Sequence, residues 1–135
     1  MLEPDALPEI NPDTKAWWEA TRQRHLLVQR CHTCGRCQHY PRYLCTRCGS
    51  THLEFVPASG HGRVYSFTVV HRPPSPAFKA PYIVALVRLE EGPLLLTNIV
   101  DCPPGAVRCE MLVKVSWTKL ADGRHLPVFK PTVAD

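Results

Sequence analysis

Cys31-His32-Thr33-Cys34-Gly35 and, shortly after it, Cys45-Thr46-Arg47-Cys48-Gly49 are the same five-residue device used twice. In each C-x-x-C-G unit the first thiolate sits on a turn that brings the second back beside it. The glycine that follows lets the backbone take a positive φ and aim N–H groups at the sulfurs, where a Cβ would clash. Four thiolates with no open position describe a structural Zn²⁺ site, with metal–sulfur bonds of ~2.3 Å. Two disulfides, four unrelated thiols or an iron centre are the competing readings, and the doubled spacing argues against the first two. Cys37, His32 and His39 lie near enough to compete as ligands, yet none occupies the repeated spacing. The stretch is read as a zinc ribbon, with Cys31, Cys34, Cys45 and Cys48 as its ligands.

Working outward, the 135 residues suffice for one ordinary domain, or a small one carrying a metal-stapled appendage. The ribbon is too short to bury a core of its own, so the metal replaces one. Seven cysteines is an odd count, and four ligands leave Cys37, Cys102 and Cys109. Such a remainder, behind a start (Met1-Leu2-Glu3-Pro4-Asp5) lacking the basic and apolar parts of a secretory signal, points to a reducing compartment. Apolar runs such as Ile83 to Val87 are strand-sized, too short to span a bilayer. The expectation is a soluble cytoplasmic protein with no membrane contact. Loading the metal lowers the formal charge of +4 to about +2. No acidic side chain falls between Glu19 and Glu54, while Arg22, Arg24, Arg30, Arg36, Arg42 and Arg47 all do. Those charges either offset the anionic metal site or face a phosphate-bearing ligand.

In chain order, residues 1 to 10 read as an arm. Asn11-Pro12-Asp13 then signals a helix start, with Asn11 as N-cap, Pro12 at the first helical position and the helix running to about Arg24. Trp17 and Trp18 are adjacent and so diverge by about 100°: one can pack on the ribbon and the other widens an apolar face needing a partner, the competing reading being that the protein's own sheet covers both. Leu26 to Arg30 is a strand leading into the first knuckle, and Leu53 to Val56 is a strand leaving the second. Beyond Pro57 the pattern turns to period two. Val64 to His71 places Tyr65, Phe67 and Val69 on one face, and Tyr82 to Leu89 is apolar on both. Leu94 to Val100 returns as a third strand. Val113, Val115 and Trp117 alternate with polar residues, and a turn at Asp122-Gly123 leads to Leu126–Lys130. Five closely spaced strands with one Pro-rich loop suit a small barrel, for which an OB-fold is the natural candidate. The reading is a mainly β chain: an arm and helix over 1–28, a rubredoxin-like zinc ribbon over 29–56 and a five-stranded OB-fold barrel over 57–135.

These residues also resemble a known family. Trp17-Trp18, Gln29-Arg30-Cys31, Cys45-Thr46-Arg47-Cys48-Gly49-Ser50, Gly62 to His71, Ala80-Pro81-Tyr82, Val87 to Pro93 and Leu126-Pro127-Val128-Phe129 run in order along nearly the whole chain. They are similar to the family called domain of unknown function 35. That family joins a helix and a rubredoxin-like ribbon to an OB-fold and is described as acyl-CoA-associated. One departure is Arg108-Cys109-Glu110-Met111, where the family carries an Ile-Gly-like step, so the loop entering that strand is in question. The resemblance implies a partner with a thiolase fold or of lipid-transfer-protein type, with acyl-CoA as a possible ligand. The partner would bear the reactive residues, in a thiolytic, retro-aldol or acyl-transfer reaction such as a steroid side-chain aldolase catalyses.

The chain's own residues agree with a non-catalytic role. No G-x-S-x-G, phosphate loop or H-E-x-x-H occurs. A four-thiolate metal leaves no position for water. Cys102 and Cys109 read as packing thiols, and His61 and His71 as ordinary surface histidines, so no catalytic residue is assigned. The Arg72–Pro81 loop is the candidate ligand-facing segment. It offers Arg72 and Lys79 for a phosphate or carboxylate, and Phe78 and Tyr82 for an adenine or ring face; a plain proline-stiffened connection is the competing reading. Trp17 and Trp18 are candidate partner contacts. Single-stranded nucleic acid is the alternative ligand, disfavoured by the modest charge and by the placing of Tyr65 and Phe67 toward the core.

Overall fold

A computed structural model describes residues 7–76 and 78–132. Residues 1–6 of the expected arm, Ala77 of the expected ligand loop and the tail from Val133 lie outside the described residues. The described residues form a helix α1 (Lys15–Thr21) and eight strands: β1 (Leu27–Cys31), β2 (Cys37–Gln38), β3 (Leu53–Pro57), β4 (His61–Val70), β5 (Tyr82–Leu89), β6 (Leu94–Ile99), β7 (Leu112–Lys119) and β8 (His125–Pro131). A 3₁₀ turn at Pro104–Ala106 separates β6 from β7. Strands β2-β1-β3 make the ribbon sheet, and β4-β5-β6-β8-β7 close into a barrel. All pairs are antiparallel except β6 with β8, which meet in parallel at Ile99 and Phe129. This is the five-stranded order of an OB-fold.

The helix is shorter than the capping signal implies. Asn11 does not cap it. Its Oδ1 accepts the Thr14 N–H at 3.0 Å while its own N–H donates to Thr14 Oγ1 at 3.1 Å. This reciprocal pair satisfies a separate turn. The first helical bond is then Trp18 N–H to Thr14 O, at 2.9 Å. The far end stops at Thr21, because Arg24 takes φ +61° and the His25 N–H turns back to Ala20 O.

Both tryptophans are buried, at 4 % and 8 % exposure, so the expectation of an unpartnered tryptophan surface is corrected. Their directions do diverge, but α1 sits in a corner with apolar surface on two sides. Trp17 donates its indole N–H to Leu27 O of β1 at 2.9 Å. Trp18 meets Trp17 edge-on at 4.7 Å and lies under the Arg124 guanidinium, also at 4.7 Å, from the β7–β8 loop. The helix end is bound to the same hairpin. Thr21 O contacts His125 Nδ1 at 2.8 Å, and Arg22 donates to Asp122 O at 2.7 Å. Trp17, Trp18, Leu26 and Val28 therefore belong to one continuous core with barrel residues such as Val64, Val87, Val113 and Phe129.

In β4 the period-two reading breaks at Tyr65. Val64 pairs with Val87 but Ser66 pairs with Leu86, so Tyr65 is an extra, bulged residue. A bulge reverses the facing of everything beyond it. Gly62 and Val64 point inward before it, and Phe67 and Val69 pack against the core after it. Tyr65 itself stands outside, 48 % exposed, with the Arg88 guanidinium 4.9 Å from its ring. Gly62 permits the close pairing here, since a Cβ would come within 2.6 Å of Arg88 O. Strand β5 is fully buried on its inner face only. Ile83, Ala85, Val87 and Leu89 are interior, whereas Tyr82, Val84 and Leu86 are half-buried and Arg88 is exposed. In the stretch that departs from the resembling family, Glu110 takes φ +68° and donates its N–H to Val64 O at 2.7 Å. A glycine would adopt that conformation without strain.

Candidate metal centre and adjoining hollows

The two knuckles are near-copies in three dimensions. The Gly35 N–H returns to Cys31 O at 2.8 Å and the Gly49 N–H to Cys45 O at 2.9 Å. The Cys31 N–H reaches Arg36 O at 2.9 Å and the Cys45 N–H reaches Ser50 O at 2.8 Å. Gly35 and Gly49 both take φ +76°. These turns bring the four sulfurs together, all within 4.8 Å of one another. Cys31 Sγ lies 3.6 Å from Cys48 Sγ, and Cys34 Sγ lies 3.6 Å from Cys45 Sγ. A tetrahedron with ~2.3 Å metal–sulfur bonds has edges of about 3.8 Å, so the donor set fits a Zn²⁺. Disulfides would need sulfurs about 2.05 Å apart. Backbone donors favour the thiolates: the Cys34 N–H lies 3.5 Å from Cys31 Sγ and the Arg47 N–H 3.4 Å from Cys45 Sγ. The Cys34 N–H above all lowers the Cys31 thiol to about 6, and the N–H groups of Cys48 and Arg47 hold Cys45 below the ordinary thiol range.

The rival ligands stand apart from this cluster. His32 Nε2 pairs with Glu54 Oε2 at 3.2 Å, Cys37 lies in β2 opposite Arg30, and the His39 ring packs 5.5 Å from Trp17. Burial lowers His39 to about 4, and its Nε2 is out of solvent with no hydrogen-bond partner among the described residues.

Two buried glutamines escaped the sequence reading. Gln29 on β1 accepts the Arg42 N–H and donates to Arg42 O, each at 2.8 Å. Gln38 on β2 donates to Gln29 Oε1 at 2.8 Å and accepts the Thr46 N–H at 3.0 Å. Together they fix the loop between the knuckles as a ladder would, although that loop has no strand partner. The available signal was a glutamine two residues before Cys31 and another one residue after Cys37, on strands too short to need polar inward positions.

The proposed ligand loop is only partly assembled. Phe78 and Tyr82 do come together, their rings stacked at 5.6 Å and 21°. Arg72 and Lys79 are exposed, and none of the four lines either of the two large surface hollows, each about 680 Å³. One hollow lies on the barrel beside Arg63, Tyr65 and Glu110. The other lies between the ribbon and the β5–β6 turn, among Arg36, Arg42, Arg47, Arg88 and Glu91. A smaller apolar hollow of about 110 Å³ is walled by Trp17, Trp18, Tyr40, Leu96 and Leu126. Leu96 there is 54 % exposed, and Tyr43 on the adjoining ribbon loop is 73 % exposed. Cys102 is half-buried with its thiol near Pro103 O, and Cys109 is exposed. No helix among the described residues is long and apolar enough to cross a membrane.

Comparison with known proteins places this geometry. Residues 18–54 match the family described as the ChsH2 rubredoxin-like zinc ribbon domain, and residues 55–118 match the ChsH2 C-terminal OB-fold domain. A probable enoyl-CoA hydratase alpha subunit of Thermomonospora curvata is 45 % identical over 126 residues. That match takes in 93 % of this chain but 40 % of the relative, which is a much longer protein. A DUF35 domain-containing scaffold protein of Methanocaldococcus jannaschii is 35 % identical over 108 residues, covering 78 % of this chain and 77 % of the relative. Among solved structures, a chain of the Ltp2-ChsH2(DUF35) aldolase superposes with a TM-score of 0.86 at 45 % identity. The match covers 94 % of this chain and 100 % of that one. With its paired knuckles, its closed five-stranded barrel and these matches along nearly its whole length, the chain belongs to the DUF35 family of zinc-ribbon and OB-fold proteins.

Proposed function

We propose that this chain is the accessory subunit of a heteromeric enzyme acting on acyl-CoA. A thiolase-like or lipid-transfer-protein-type partner supplies the chemistry, which is retro-aldol or thiolytic cleavage or formation of a carbon–carbon bond. The likeness to the ChsH2 chain of an aldolase, over the full length of that chain, carries this reading. The names of the other relatives, a probable enoyl-CoA hydratase alpha subunit and a scaffold protein, agree with acyl-CoA metabolism and with a supporting role. The metal centre supports it too. Four thiolates fill a tetrahedron, which suits a Zn²⁺ that holds the ribbon and activates no water. The partner surface is assigned to the exposed apolar residues of the ribbon loop, Tyr40, Tyr43 and Leu44, with Leu96 of β6 beside Tyr40, in place of the buried tryptophans.

The experiment is reconstitution with the Ltp2 protein of the matched aldolase. The chain alone is expected to show no turnover, Ltp2 alone to be weakly active or poorly soluble, and the mixture to cleave a β-hydroxyacyl-CoA. Unaided turnover by the isolated chain, or salt-sensitive retention on single-stranded DNA with no binding to Ltp2, would overturn the reading.

A further inference from the structure

The four sulfurs of the metal centre are unequally placed. Cys31 and Cys45 are buried, at 0 % and 3 % exposure, whereas Cys34 and Cys48 are exposed. Each close contact joins one of each kind across the two knuckles: Cys31 Sγ with Cys48 Sγ, and Cys34 Sγ with Cys45 Sγ, both at 3.6 Å. Each open thiolate therefore has a protected one beside it. Cys34 also borders the hollow of about 680 Å³ between the ribbon and the β5–β6 turn, which is wide enough to admit a small oxidant. Arg36, Arg42 and Arg47 share that lining with Glu91. Thiolates react where they are part-exposed among cationic side chains, and metal ligation keeps them deprotonated. Cys37 borders the same hollow, but it is not one of the clustered four and burial pushes its thiol up, which makes it the slower nucleophile.

The surface that answers to this cluster lies between its knuckles. Tyr40, Tyr43 and Leu44 are exposed on that loop, with Leu44 directly before a ligand. Gln38 holds Leu44 O at 3.2 Å and the Thr46 N–H at 3.0 Å, on the two sides of Cys45. A disulfide would draw two sulfurs from 3.6 Å to about 2.05 Å apart. Its formation displaces the knuckles relative to each other and removes two of the four metal ligands.

We infer that the ribbon is a peroxide-sensitive switch on assembly, thrown by a disulfide between Cys34 and Cys45. The Cys34 thiolate attacks hydrogen peroxide: an S–O bond forms, the O–O bond breaks and hydroxide leaves. The sulfur is oxidised to a sulfenic acid and the peroxide is reduced. The Cys45 thiolate then attacks that sulfur, forming the S–S bond and expelling a second hydroxide. Solvent protons convert both hydroxides to water, so two thiolates, one peroxide and two protons give one disulfide and two waters. Only Cys31 and Cys48 then remain as ligands. The ribbon loses the ion that supplies its folding free energy, and Tyr40, Tyr43 and Leu44 lose their fixed arrangement. The inference rests on the accessory reading for what the switch controls, not for the thiol chemistry.

The test exposes the zinc-loaded full chain to hydrogen peroxide, follows released zinc with a chromogenic chelator and maps linked cysteines by peptide mass spectrometry. About one zinc per chain is expected to leave, with Cys34–Cys45 as the first linkage. Dithiothreitol with added zinc is expected to restore the site. Binding to Ltp2 is expected to weaken at least about tenfold on oxidation and to return on reduction. Cys37→Ser should release zinc at the unaltered rate. Cys34→His, which keeps a Cys₃His donor set, should retain zinc and slow its release at least about tenfold. Zinc retained while Cys109 is oxidised, any other first linkage, or release from zinc-bearing Cys34→His at the unaltered rate would overturn the inference. Should Cys34→His bind no zinc, the linkage map of the unaltered chain decides. If Ltp2 binds equally before and after oxidation, the switch fails and the accessory function stands. If the reduced chain never binds Ltp2, the accessory reading fails and the linkage and zinc release are unaffected.

Discussion

His39 shows what one residue can carry. Its Nε2 is out of solvent without a partner among the described residues, and burial lowers its pKa to about 4, so the folded protein holds it neutral. An unfolded chain would titrate it near ~6.5. The folded value is the lower one, so the unfolded state takes up the proton first as pH falls. The stability is complete above about 6.5 and is lost progressively towards about 4, for a total of about 3 kcal/mol. Chemical denaturation at pH 7.5, 5.5 and 4.5 should show this slope, and His39→Leu should flatten it. The metal ligands predict a different loss. Cys34→Ser should give protein without stoichiometric zinc and with a disordered ribbon, because metal binding supplies the ribbon's folding free energy. Elemental analysis and the amide spectrum of the loop between the knuckles would check it. The ligands were legible in the sequence because each C-x-x-C-G unit is local, with its sulfurs positioned by bonds inside five residues. The glutamines were not, since Gln29 and Gln38 act on backbone groups 13 and 8 residues away.

At the scale of an element, the helix is where sequence and structure part most usefully. A divergent tryptophan pair on a short helix implies spare apolar surface only if one side of the helix is empty. Here one side faces the ribbon strand β1 and the other the β7–β8 hairpin, so both rings are used. Trp17→Ala is therefore expected to destabilise the isolated chain by about 3–5 kcal/mol, as for a buried aromatic. Zinc is expected to stay bound in the fraction that folds. Thermal unfolding of the chain without its partner separates this from a loss confined to assembly. The bulge in β4 is the other case. Period-two alternation identified the strand, but one extra residue at Tyr65 moved that ring outside while Phe67 and Val69 stayed in. Tyr65 and Val64 are alike apolar enough for the interior. Nothing in the alternation marks which one breaks the register, because the bulge answers to pairing with β5.

The whole molecule behaves as one packing unit around two unlike sheets. The helix, the ribbon strand β1 and the barrel share a continuous core, and the Ala58 N–H reaches back to Leu26 O at 2.8 Å across the link between them. Removing zinc with a strong chelator should therefore lower a single cooperative melting transition. Scanning calorimetry with and without chelator distinguishes that outcome from two separate transitions, which would mean the ribbon melts alone. The knuckles, the five barrel strands along the chain and the barrel class were determined by the sequence itself, since they follow from short-range turn chemistry and from alternation that survives in any register. The meeting of distant residues was decided only by tertiary structure: Trp18 against the β7–β8 hairpin, and three ribbon arginines lining one hollow with Arg88 of the barrel. Those contacts join positions some forty to a hundred residues apart. Local propensity carries no information about such pairs, because their energy appears only once the ribbon and barrel have closed on each other.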